Sequence, residues 1–228
     1  MAGKQAGSCP DTVRNMMEER MAKNPLHYQL SEYDCGPTAM LDAISYLFPR
    51  EEIPPEIIRN VMLYCLDCYN MEGRPGKSGT SHMAMMFLSN WLNQFSRVGQ
   101  LPITTAYIAQ NQVYIGKDGR IDDMLNRGGV VVVRLWLDEW HYVMLNGIKD
   151  GMVYMFDPYY GDKAYEDYPQ VQVVLDKPFA YNRIVPVEMF NTEELSLYAL
   201  GPMEEREAVL LGNNNTLLTA EKTIEYFI

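Results

Sequence analysis

The chain has 228 residues, 47% of them apolar and 21% charged, enough to bury a core without disulfides or a structural metal. Its 19 basic and 30 acidic residues give a formal net charge of −11, which argues against a nucleic acid or an anionic membrane surface as the main partner. There is no run of about 18 apolar residues to form an integral membrane segment, and the N-terminal MAGKQAGSCPDTVRNMMEERMAKN lacks the apolar stretch of a secretory signal.

In chain order, residues 11–23 read as a polar, Met-containing helix stopped by Pro25, so 1–25 is expected to be an N-terminal helical extension. From Gly36, the sequence PTAMLDAISYLF places Ala39, Met40, Ala43, Ile44 and Leu47 at helical spacing, with a proline in the first turn where a missing N–H costs nothing. Pro54 and Pro55 open a second helix through Ile57, Ile58, Val61, Met62 and Cys65. After the loop NMEGRPGKSGT a third begins, SHMAMMFLSNWLNQF, with Thr80 or Ser81 as its cap.

The pattern then changes. ITTAYIA and VYIG read as strands, DDMLNR as a short helix ending at Gly128 and Gly129. VVVVRLWL, HYVMLNGI and GMVYMFD follow as strands, the β-branched run marking burial on both faces and KDG marking a hairpin turn. Further strands are expected in VQVVL and RIVPV. Helices first and antiparallel strands second make an α+β domain over 26–189. The segment 190–228 is expected to be a C-terminal extension, with LSLYALGP and EAVLLGN forming either a terminal hairpin or an appendage over the site.

The chemistry concentrates in HYQLSEYDCGPTAMLDAISYL. A thiol is a poor nucleophile at neutral pH unless something lowers its pKa, and the unpaired N–H groups and positive dipole of a helix N-terminus do that. Cys35 stands at such a terminus; the alternative is a small core residue. Of the three histidines, His27 lies too near in sequence to arrive from another layer, and His82 sits in the first turn of a helix, a packing position. His141 begins a buried strand and can reach a thiolate across a cleft. Asp157, at the end of the next strand, can orient that imidazole, or simply open the Asp-Pro turn. The Gln29 amide can donate to an oxyanion beside the Cys35 N–H.

The pieces QLSEYDCGPTAM, WHYVMLNGI and GMVYMFDPYYG, in the order Gln29, Cys35, His141, Asp157, resemble the papain-like cysteine peptidases, and most nearly the bacteriocin-processing branch that removes double-glycine leaders. The resemblance spans about residues 26 to 161. It implies a papain-like fold with Cys35 as nucleophile, His141 as base, Asp157 as its orienter and Gln29 as oxyanion donor. It also implies a peptide or small amide or acyl substrate, with no metal or organic cofactor. Members of that branch are typically joined to an export ATPase, and no such part follows here, so the resemblance carries the fold and the catalytic set further than a leader substrate.

Other motifs have plainer readings. CLDC at 65–68 lacks the second pair of a zinc site, and with Cys35 in a motif suited to a free thiol, a reduced, cytoplasmic setting is expected. GKSGT lacks the first glycine of a phosphate loop, Met71 standing in its place. MAMMF is expected on the interior surface of its helix. Trp140, Tyr159 and Tyr160 either shield and line the site or pack ordinarily. The expected activity is amide hydrolysis through an acyl-enzyme. Transfer of the acyl group to an amine, and a silent peptide-binding module, are the alternatives.

Overall fold

The computed structural model describes residues 23–67, 69–70, 72–74 and 77–219. The helix expected over 11–23, except Lys23, and both Cys9 and Cys68 lie outside the described residues. Four α-helices are described, α1 (Cys35–Leu47), α2 (Pro55–Cys65), α3 (His82–Arg97) and α4 (Arg120–Asn126). Seven strands accompany them: β1 (Ile103–Ala109), β2 (Val130–Leu137), β3 (Glu139–Lys149), β4 (Met152–Phe156), β5 (Gln172–Val173), β6 (Arg183–Pro186) and β7 (Glu207–Asn213). They form one sheet in the order β1-β7-β2-β3-β4-β6-β5, and every pairing is antiparallel. The fold is α+β. No described helix is long and apolar enough to cross a membrane.

The helical periodicity of α1 becomes packing: Ala39, Met40, Ala43 and Ile44 are fully buried against the sheet residues Val130, Val132, Met144 and Val209. Each such Met or Ile contributes about 1.5–3 kcal/mol on burial. The first three helices share this core. On the opposite face, α4 and the segment around Phe190, Tyr198 and Leu200 cover Val131, Val133, Val143 and Leu145. With both faces covered, alternation is lost from the central strands, which explains the valine run of β2.

The turn between β3 and β4 is the expected hairpin, with Asp150 at φ 52° and Gly151 at φ 75°, the paired left-handed residues of a type I′ turn. The cap of α3 is Ser81, whose side chain accepts from Ala84 N.

Four expectations need correction. VYIG is not a strand: the chain leaves β1 through Gln110 at φ 56° and a 3-10 turn. The amide of Asn191 then supplies both bonds a neighbouring strand would give, pairing with Ile115 N at 3.0 Å and Ile115 O at 2.7 Å. EAVLLGN is neither a terminal hairpin nor an appendage. As β7 it lies between β1 and β2, and all seven of its residues are buried. MAMMF is divided, with Ala84 and Met85 buried and Met83, Met86 and Phe87 exposed. VQVVL contributes only its two residues Gln172 and Val173 to the sheet.

Candidate active site

Cys35 is the first residue of α1, where the backbone N–H groups have no intrahelical acceptor. It is buried and unpaired by disulfide. The preceding loop is folded onto the helix by Asp34. Its carboxylate accepts from Ser31 N at 2.7 Å, Ser31 Oγ at 2.6 Å and Leu30 N at 3.0 Å. Burial alone would raise the Asp34 pKa, but these bonds hold it below the usual value. Glycine is required next to the thiol: a Cβ on Gly36 would stand 2.2 Å from Thr80 Oγ1 and 2.8 Å from Thr80 Cβ.

His141 sits near the start of β3 and Asp157 follows the end of β4. The register pairs Met144 with Phe156, so the antiparallel hairpin returns Asp157 to the end of the sheet that carries His141. His141 Nε2 lies 2.7 Å from Asp157 Oδ1, and both residues are buried. Burial pulls the imidazole pKa down. The charge and hydrogen bond of Asp157, then the hydrogen bond and charge of Cys35, more than reverse this and bring it to about 10. With Nε2 engaged by the carboxylate, Nδ1 is the ring nitrogen left for a second partner.

Asp157 is itself tightly held. Oδ1 also accepts from Tyr159 N at 2.8 Å, and Oδ2 accepts from Tyr198 Oη at 2.8 Å. Its backbone is pinned by Asn182, which accepts from Asp157 N at 2.8 Å and donates to Asp157 O at 2.7 Å. Burial pushes the carboxyl pKa up; the charge of His141 and these donors outweigh it and hold it below the ordinary value. The proline turn and the histidine partner therefore coexist at this residue. Sequence reasoning missed Tyr198 and Asn182. A tyrosine at the core of an irregular segment, 41 residues beyond Asp157, carries no periodic signal.

A bond from Gln29 N to Pro158 O at 2.9 Å ties Gln29 to the turn that follows Asp157, and its Nε2 donates to Ser31 O at 2.7 Å. Gln29, Cys35 and His141 open on one cleft of about 550 Å3. Trp140, Tyr159 and Tyr160 also line it, and Tyr159 stands edge-on to the imidazole with ring centroids 6.4 Å apart. All four sequence-derived candidates thus come together at one end of the sheet.

The remaining histidines do not. His27 is exposed, and its backbone N–H donates to Asp42 Oδ1 at 2.8 Å. His82 lies 3.0 Å from Glu207 in a polar group that also includes Arg134 and Tyr142. Cys65 is fully buried with its sulfur 3.5 Å from that of Met85, and burial pushes its thiol pKa up. Among the described residues no group of His, Cys, Asp or Glu is arranged to hold a metal ion.

No protein-family model matches this chain, and no curated protein does. Among solved structures, it is similar to the crystal structure of a double glycine motif protease from an AMS/PCAT transporter in complex with the leader peptide. The identity is 15%, the TM-score 0.36, and the match covers 72% of this chain and 91% of that one.

Proposed function

We propose that the chain is a cysteine peptidase-like hydrolase with a papain-like active site, acting on a peptide or small amide through a Cys35–His141–Asp157 triad. The observation that carries this reading is the buried imidazole, joined through Nε2 to Asp157 and influenced by a thiol at a helix N-terminus. A core cysteine needs neither partner. The cleft has the volume for a few residues of an extended peptide.

In the proposed reaction, His141 already holds the proton of Cys35, since its raised pKa keeps the ring an imidazolium near neutral pH, and the Cys35 thiolate attacks the scissile carbonyl carbon. The oxyanion that forms accepts from the Cys35 N–H and from the Gln29 Nε2 hydrogen that Ser31 does not use. The C–N bond breaks as the imidazolium gives its proton to the departing amine, leaving a thioester on Cys35. His141, neutral once its proton has left with the amine, then deprotonates a water that attacks the thioester, and the acid departs, leaving the Cys35 thiolate beside the imidazolium. Asp157 holds the ring in one tautomer and balances its positive charge throughout.

The test is cleavage of a mixed peptide library, with new termini mapped by mass spectrometry for the wild type and for Cys35→Ala. Termini produced by the wild type and lost in the variant are expected. Identical patterns from both proteins rule the hydrolase out.

A further inference from the structure

We infer that Tyr198 is a positioning residue for Asp157, and that it ends a directed chain of donors running from Arg183 through Tyr165 and Tyr198 to the carboxylate. The inference rests on the proposed role of Asp157 and adds to the triad a residue from beyond β6.

The direction of the chain is fixed at both ends. A guanidinium cannot accept and a carboxylate cannot donate. Tyr198 Oη therefore gives its only proton to Asp157 Oδ2 at 2.8 Å. In its 2.8 Å contact with Tyr165 Oη it must accept, so Tyr165 donates. Tyr165 Oη in turn accepts from Arg183 Nε at 3.4 Å. The rest of the guanidinium is anchored, Nη1 to Asn182 O at 2.9 Å and Nη2 to Gly161 O at 3.0 Å. Arg183 and Tyr198 are buried, while Tyr165 and Arg183 reach the cleft wall. Burial first, and then the negative charge of Asp157, keeps the Tyr198 phenol protonated and so a donor.

The backbone supports the same conclusion. Tyr198 adopts φ 61°, a left-handed conformation that is costly for a bulky side chain. Two bonds to β2 enforce it, from Tyr198 N to Trp136 O at 2.8 Å and from Trp136 N to Ala199 O at 2.9 Å. A tyrosine chosen only to fill the core could do so from relaxed backbone. This one is held where its hydroxyl meets Oδ2, which is the carboxylate oxygen that His141 does not use.

The experiment follows the downfield proton resonance of His141 Nε2–H as the pH is lowered, in the wild type, Tyr198→Phe and Tyr165→Phe. This resonance reports the bond to ionised Asp157 and disappears when the carboxylate is protonated. Removing a donor to a charged carboxylate should move that midpoint up by about one pH unit or more in Tyr198→Phe, and by less, in the same direction, in Tyr165→Phe. A space-filling role would lower the melting temperature and leave the midpoint in place. Equal midpoints in the wild type and Tyr198→Phe overturn the inference; should that variant not fold, an unmoved midpoint in Tyr165→Phe does so. A shifted midpoint in a protein whose Cys35 proves unreactive would support the positioning role and count against the hydrolase reading alone.

Discussion

Replacing Asp157 by asparagine isolates the largest favourable influence on His141. The imidazole titrates at about 10 instead of 6.5 because a carboxylate lies 2.7 Å from Nε2 in a buried setting. That difference corresponds to about 5 kcal/mol in favour of the imidazolium. The substituted amide would keep an oxygen near the ring but no charge, and burial would then act on the ring with less opposition. The His141 midpoint is therefore expected to fall by about three pH units, as read from long-range proton–nitrogen correlation spectra. Stability should change accordingly. A histidine whose pKa is raised on folding stabilises the protein fully below pH 6.5 and progressively less as pH rises to about 10. Urea unfolding of the wild type should show that decline, and Asp157→Asn should show little of it. A His141 that titrates near 6.5 in the wild type, or at the same pH in both proteins, would refute the reasoning.

The buried Asp42 gives the opposite case: burial, only partly offset by His27, raises its pKa to about 6, so stability should fall between pH 4 and 6 as it ionises. Asp42→Asn should flatten that part of the urea-unfolding profile by about 3 kcal/mol, and an unchanged slope would assign the fall to other groups. Gly36→Ala must displace Thr80 from against the first turn of α1, so Cys35-dependent cleavage should drop at least tenfold while circular dichroism still shows a folded protein; full activity would mean that the loop yields freely. Ile44→Ala should cost about 2–5 kcal/mol in denaturant unfolding because the side chain is fully enclosed between α1 and the sheet, and a cost under 1 kcal/mol would contradict that packing.

Much of this arrangement is legible in the residues themselves. Local chemistry marks the α1 terminus at Cys35, the Ser81 cap and the Asp150-Gly151 turn, and a two-strand hairpin is enough to bring His141 and Asp157 together. What escapes a linear reading depends on long-range partners. β7 is an ordinary apolar run whose central place is decided by pairing with β1 and β2, each far from it in sequence. VYIG has strand composition but meets an asparagine side chain instead of a strand. Tyr198 looks like one more aromatic in LSLYALGP, and only tertiary structure turns its hydroxyl toward Asp157.

Site-resolved alkylation by iodoacetamide across pH 5–9, on the wild type and on His141→Ala, tests the central claim most directly. The account predicts that Cys35 is modified faster than a thiol in an unstructured peptide at pH 6, that the advantage disappears in His141→Ala, and that buried Cys65 stays unmodified. A Cys35 no faster than that peptide thiol, or equally fast without the imidazole, would contradict it.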